Sequence, residues 1–310
     1  MRVIFMGTPD FSVPTLQKLI DAKHEVLAVV TQPDKAKGRG KTVQFTPVKE
    51  LAVKYDIPVY QPSRIKGNEE FYEEMKALNA DVMVVVAFGK ILPKEILELT
   101  KYGCVNVHSS LLPKYRGSAP IQWVILDGET ESGVTTMLLD EGVDTGDILL
   151  REVIQLDDKE TGGSLHDKLS VIGGDLCVET LKQLEAGTIT PTPQGETTTR
   201  YAKMLTKDMG KIDFERPAAE IERLIRGLNP WPSAFASLHG KTLKIWDANV
   251  VEGAENAKPG EVIAVGKKSF TVMTGEKALE IMEMQLEGKK RMTTEAFLRG
   301  YTVDKGEILA

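Results

Sequence analysis

RVIFMGTPDFSVPTLQKLIDAKHEVLAVVT, residues 2–31, is the stretch on which the fold reading turns. Arg2–Gly7 is a short apolar run rich in β-branched and aromatic residues, so it reads as a buried strand. Pro9 and Asp10 make a turn, and Ser12 with Pro14 predicts a capped helix running to about Ala22. Glu25–Thr31 is a second strand. Strand, helix and strand in this order predict a parallel sheet. The glycine after the first strand invites a dinucleotide-binding reading, but GTPDFS has one glycine where that fingerprint needs three. That reading is rejected.

The pattern continues outward. Helices are expected at 47–55, 68–78 and 93–99, and a short strand at 59–60. Asp81–Phe88 (DVMVVVAF) is apolar on both faces and therefore central. Val105–His108, Val134–Leu139 and Ile148–Ile154 are further strands, a helix lies within 117–126, and Ser164–Leu184 is a long helix ended by Gly187. Ile189–Thr199 (ITPTPQGETTT) is rich in Thr and Pro and reads as part of an interdomain linker. Beyond it come a helix at 217–228, five short strands (234–238, 242–248, 261–265, 269–273, 278–285) and a closing helix at 293–299. Short strands punctuated by turns suggest a small β-barrel. The expected division is 1–188, a linker at 189–206, and 207–310.

Composition limits the partners. The net charge is −6, yet residues 207–310 carry sixteen basic and sixteen acidic side chains. The acidic excess therefore lies in the first two thirds, and any nucleic acid must be met by local basic patches. One such patch is Gln32–Phe45 (QPDKAKGRGKTVQF), where Lys35, Lys37, Arg39 and Lys41 alternate with small residues. It is expected to be a loop and not a packed element. It could be only a solvated loop, or it could follow a phosphate backbone. Lys207 is a weaker candidate of the same kind, a solvated lysine being at least as good a reading. No apolar run approaches the roughly 20 residues that span a bilayer, and the N-terminus lacks the apolar segment of a signal peptide, so a cytoplasmic protein without membrane contact is expected. Cys104 and Cys177 have no paired spacing and read as buried thiols.

The chemistry concentrates in Gly103–Asp147. Asn106 and His108 are two apart on a strand, so their side chains share a face. Asp144 follows in the glycine-bearing loop EGVDTGD. A carboxamide can donate to an oxygen becoming an anion, an imidazole can move a proton near neutral pH, and a carboxylate can orient that imidazole. This set favours attack on a carbonyl carbon. Ser109 and Ser110 lack the GxSxG elbow of a serine hydrolase, and one His with one Asp makes a poor metal set. A lone histidine would more often be a satisfied core residue; the company of Asn106 and Asp144 favours catalysis.

NVHSSLLPKYRGSAPIQW (106–123) followed by GVTTMLLDEGVDTGDIL (133–149) strongly resembles the folate-dependent formyltransferases. FMGTPDFSVPTL, VTQPDKAKGRGK, DVMVVVAFGKILP and NPWPSAF resemble the branch of that family acting on charged initiator tRNA, and the likeness runs from Arg2 into the C-terminal region. The resemblance implies a Rossmann-like, mostly parallel α/β catalytic domain followed by a small OB-like β-barrel that binds tRNA. It implies 10-formyl-tetrahydrofolate as formyl donor, with no metal, and the α-amine of methionyl initiator tRNA as acceptor. Asn106, His108 and Asp144 match the family's catalytic positions. Ser110, Leu111, Leu112 and Pro113 match its folate-site motif, and the turn at Phe88, Gly89 and Leu92 is a further candidate there. Lys35, Lys37, Arg39, Lys41 and Lys207 would meet the tRNA. A monomer is expected. Ser109 departs from the glycine common at that position. Two other readings stay open: a relative that formylates a small amine or hydrolyses the formyl-folate, and a non-catalytic RNA-binding protein.

Overall fold

The computed structural model describes residues 1–37 and 42–310. Its strands in chain order are β1 (Arg2–Gly7), β2 (Glu25–Val30), β3 (Lys35–Lys37), β4 (Thr42–Gln44), β5 (Val59–Tyr60), β6 (Val82–Val86), β7 (Cys104–His108), β8 (Glu131–Leu138) and β9 (Ile148–Gln155), then β10 (Ala234–Leu238), β11 (Lys241–Val251), β12 (Val262–Val265), β13 (Phe270–Met273), β14 (Ala278–Leu286) and β15 (Met292–Thr293). The helices are α1 (Val13–Asp21), α2 (Pro47–Lys54), α3 (Glu69–Ala77), α4 (Lys94–Leu97), α5 (Pro120–Leu126), α6 (Gly162–Ala186), α7 (Ala218–Gly227) and α8 (Thr294–Leu298).

The first sheet has the order β5-β2-β1-β6-β7-β8-β9. Its first five strands are parallel, as the β-α-β opening predicts, while β8 and β9 run antiparallel. The chain order reverses between β1 and β6, which opens a crevice beyond their C-terminal ends, where α/β sheets hold ligands. Val3–Met6 and Val82–Val84 are fully or almost fully buried because helices cover both faces of these central strands.

Local details explain the residues at this crevice. The expected Ser12 cap is not made. Its hydroxyl donates instead to the Val86 carbonyl at 2.6 Å, tying the start of α1 to the end of β6. A Cβ at Gly7 would lie 2.8 Å from Ser12 Cβ and from the Phe5 ring. The glycine that ends β1 thus serves this close packing. True caps appear elsewhere: Thr46 Oγ1 accepts from Lys49 N–H at the start of α2, and Asn68 Oδ1 from Phe71 N–H at α3.

Compactness divides the chain differently from the expected boundaries. One unit holds 1–120, 131–155 and 166–202; the other holds 121–130, 156–165 and 203–310. Residues 189–202, expected to be linker, belong to the first unit. The second unit takes in α5 and the first turn of α6. Side-chain contacts give the reason: Trp123 Nε1 donates to the Lys203 carbonyl, and Gly227 of α7 lies against Leu126 so closely that a Cβ would sit 3.0 Å from it.

The second unit is built on an antiparallel sheet, β10-β11-β14-β13-β12, with β15 on β14. Phe270, Ile281, Leu243 and Ile245 are fully buried in its core, together with Ile221 and Ile225 of α7. No strand pairing closes β10 onto β12 among the described residues. The C-terminal tail occupies that seam. Val262 N–H donates to Glu307 O, Gly306 N–H to Val262 O and Leu309 N–H to Gly260 O, while Ser237 N–H and Ala310 O bond at 2.6 Å on the other side. Barrel-like closure therefore comes from an irregular segment.

Leu309 is 2% exposed within that tail. Leu309→Ala is expected to destabilise the C-terminal unit by about 2–5 kcal/mol, as for other buried leucines. Denaturant unfolding followed by tryptophan fluorescence checks this; a change near zero would show that the sheet does not depend on the tail.

Candidate active site

β7 is short and buried along its length, and it carries both Asn106 and His108 on one face. Its C-terminal end lies at the same edge as those of β1 and β6. Strand direction alone does not bring Asp144 to this edge. β8 is antiparallel to β7, with Leu138 opposite Val105 and Thr135 opposite His108. The chain therefore leaves β8 at the wrong edge, and the 139–147 loop must come back along β7. It does so: Asp144 Oδ1 stands 3.7 Å from His108 Nδ1.

The return is held by named contacts. Gly117 N–H donates to Asp144 Oδ2 at 2.8 Å. Gly117 has φ +123°, and a Cβ there would meet the Ala202 carbonyl at 2.7 Å and the Tyr201 ring at 2.9 Å. Only glycine fits this approach. Gly146 answers the same need in the other loop, where a Cβ would fall on the Leu138 carbonyl oxygen. Asp144 itself has φ +54°, a left-handed conformation that Asp adopts more readily than most residues.

His108 is 6% exposed, and its Nε2 lies 3.1 Å from the Tyr115 carbonyl oxygen. A carbonyl can only accept, so this nitrogen carries the proton and Nδ1 is turned toward Asp144. At 3.7 Å the Nδ1–carboxylate approach is too long for a hydrogen bond and is an ion pair only when both ring nitrogens carry protons. A doubly protonated ring would direct an N–H at each oxygen. Asn106 is 8% exposed, and among the described residues its carboxamide has no hydrogen-bond partner. Nor is it one of the sealed unpartnered polar atoms. Buried amides are normally paired, so one left open to solvent-filled space beside His108 is an available donor.

The other sequence candidates fall into three groups. Ser110 is fully buried; its hydroxyl donates to the Lys114 carbonyl, and its own carbonyl accepts from Thr135 Oγ1. Leu112 packs with Met137 and Ile148, and the Leu112–Pro113 peptide is cis. These residues shape the loop from within, whereas Leu111 and Pro113 are only half-buried. At the 88–92 turn, Phe88 and Leu92 also point into the core. Gly89 has φ +75°, and Ile91, missed in the sequence, is 82% exposed. Of two adjacent apolar residues in KILP only one could be buried, which was the available signal. The third group is the basic stretch. Lys35–Lys37 and Thr42–Gln44 pair as the antiparallel strands β3 and β4, contrary to the expected irregular loop. Lys35 and Lys37 lie on β3; Arg39 and Lys41 lie outside the described residues. Lys207 is exposed in a short 3-10 turn of the second unit.

A polar network ties the root of this hairpin to the crevice. Lys49 Nζ binds Asp34 Oδ2 at 2.5 Å and Gln61 Oε1 at 2.8 Å, and Gln61 Nε2 donates to Asp34 Oδ1 and to the Gln32 carbonyl. Gln32 Nε2 in turn donates to the Phe88 carbonyl at 2.9 Å. Desolvation works to raise the Asp34 carboxyl, but hydrogen bonds from Lys49 and Gln61 and the Lys49 charge outweigh it and hold it below the usual range. Tyr201 is 47% exposed; burial and the nearby Asp144 charge push its hydroxyl upward.

Comparison with known proteins now decides the family. The Formyl transferase family model matches residues 1–181, and the model Formyl transferase, C-terminal domain, matches 204–302. The chain belongs to the formyltransferase family. It is 57% identical to a methionyl-tRNA formyltransferase of Lachnospira eligens, covering 100% of this chain and 99% of that protein, and 51% identical to one of Caldanaerobacter subterraneus subsp. tengcongensis, covering 100% of both. Among solved structures, an N-formyltransferase from Helicobacter canadensis in complex with folinic acid and dTDP-3-aminofucose superposes with TM-score 0.66 at 21% identity, over 90% of this chain and 98% of that one. HypX from Aquifex aeolicus in complex with tetrahydrofolic acid gives 0.65 at 18%, over 99% of this chain and 50% of that one. At such identities these structures speak for the shared formyltransferase fold.

The two cysteines of this formyltransferase stay outside the chemistry. Burial pushes both thiols up to about 12. Neither should form a thiolate at pH 8, so the native protein is expected to resist iodoacetamide and to react at both positions only when unfolded. Mass spectrometry of alkylated peptides checks this; rapid labelling of Cys104 in the native state would contradict it.

Proposed function

We propose that this formyltransferase transfers a formyl group from 10-formyl-tetrahydrofolate to the α-amine of methionine carried on initiator tRNA, in the cytoplasm. Near-identical length and high identity to methionyl-tRNA formyltransferases support the acceptor. The observation that carries the chemistry is the buried, unpartnered Asn106 carboxamide beside His108 and Asp144. A nearly buried donor without a protein partner is free to bind a substrate oxygen.

The crevice between β1 and β6 suits the folate. The 87–89 turn follows β6 directly and brings its backbone to that crevice. When bound, the formyl-folate supplies an activated formyl carbon and a nitrogen leaving group. This chain's residues do the rest. Asn106 donates to the formyl oxygen as negative charge grows on it. Asp144 fixes the orientation of His108. His108, anchored by the Tyr115 carbonyl, stabilises charge or handles the amine proton through Nδ1. A free α-amino group titrates near 7.7–8.0, and esterification of its carboxyl lowers that, so neutral nucleophile is present at pH 7 without a dedicated base. No covalent enzyme intermediate is required.

Asn106→Ala is expected to lower kcat by about 10²–10³, the usual loss for one oxyanion donor, with little change in folate affinity. The assay is formylation of charged initiator tRNA, run beside small amines; near-native turnover by the variant would remove Asn106 from this role. Arg39→Ala is expected to weaken use of charged tRNA and flatten its salt dependence while leaving folate binding intact. Equal losses in both measurements would reject a tRNA role for the basic stretch.

A further inference from the structure

Residues 192–202 act as a strap across the site. Thr192 exchanges two backbone hydrogen bonds with Ile148 at the start of β9 (2.8 and 2.9 Å). Thr199 Oγ1 accepts from Tyr115 N–H at 2.8 Å. Ala202 N–H donates to the Arg116 carbonyl, and the Ala202 carbonyl accepts from Ser118 and Ala119. In the middle of the strap is Gln194, whose side chain is fully engaged. Its Oε1 accepts from Arg116 Nε at 3.0 Å and Nη2 at 2.8 Å. Its Nε2 donates to the Asp144 carbonyl at 3.0 Å and the Gly146 carbonyl at 2.7 Å. Arg116 is gripped a further time by the Gly195 carbonyl.

We propose that Gln194 is a positioning residue for the reaction, holding Asp144 in reach of His108 by clamping the backbone of its loop to Arg116. The need is physical. The 139–147 loop must reverse along β7, and Asp144 adopts a left-handed backbone that needs outside support. The carbonyls of Asp144 and Gly146 both meet the same amide nitrogen. The opposite end of that amide holds Arg116, the neighbour of the Gly117 N–H that binds the Asp144 carboxylate. One carboxamide therefore locks the two loops together at both the main chain and, one residue away, the side chain of Asp144. A carboxylate in its place would keep the Arg116 half and set oxygen against two carbonyl oxygens.

This inference rests on the formyl-transfer reading with Asp144 as a working residue. Single-turnover formylation of charged initiator tRNA tests it with the full-length protein. Gln194→Ala is expected to slow the chemical step about tenfold, the effect of a hydrogen bond or two, while KM for both substrates stays within about twofold. Gln194→Glu is expected to be as slow as Gln194→Ala. In an Asp144→Asn background, Gln194→Ala should add less than about twofold, because groups acting through one another are not additive. Full activity in Gln194→Glu would assign the residue to Arg116 and overturn the proposal. So would additive losses in the double variant, which mark a purely structural role; melting curves of each variant accompany the rates. An unimpaired Asp144→Asn would instead sink the role of Asp144 itself, and with it anything that positions it.

Discussion

The bond from Gly117 N–H to the Asp144 carboxylate is the constraint on which the arrangement depends. It joins a loop leaving the C-terminal end of a parallel strand to one leaving the far end of an antiparallel neighbour. Sheet geometry alone would keep these loops on opposite edges. Gly117 and Gly146, the left-handed backbone at Asp144 and the contacts of residues 192–202 serve this one approach. The imidazole is fixed from its other side by the Tyr115 carbonyl, so its ring has little freedom. Asn106 remains with its amide uncommitted.

Much of this was legible in the sequence because it is written in local pattern. Val82–Val86 is continuous and apolar, hence a central strand; Asn106 and His108 two apart must share a face; five β-rich runs after residue 230 are five strands. Less legible were features decided by long-range pairing. The run 131–138 carries no mark of direction, so the antiparallel setting of β8 and the detour it forces on Asp144 were invisible. ITPTPQGETTT was read as linker because it buries little, and its residues are indeed mostly exposed. Exposure is a poor guide when a segment is held by hydrogen bonds: Gln194 makes four of them. Ser12 shows the same limit, having cap chemistry by type but a tertiary partner in fact. The folate-site candidates were read by type too, and Phe88, Leu92 and Leu112 prove to spend their side chains on packing.

The C-terminal unit repeats the lesson in β structure. Its strands follow the β-rich runs closely, yet the seam between β10 and β12 is filled by residues 306–310, which have no strand pattern. Covering an edge with a bonded tail removes a row of open main-chain groups that could otherwise recruit another chain. The family likeness and the physical reading meet here without needing each other: the family predicts a barrel, and the hydrogen bonds show how these residues approach one.

The division of the chain bears on how it is made. Residues 121–130 and 156–165 belong with a unit whose sheet is not synthesised until after residue 230. As the chain emerges from the ribosome, these two segments must wait, their apolar faces without their eventual neighbours, while the first sheet forms around them. Domains otherwise tend to fold one after another during synthesis. Here the second unit has to be finished by stretches translated long before it, so a separately expressed C-terminal piece would lack the segment whose Leu126 lies against Gly227 of α7.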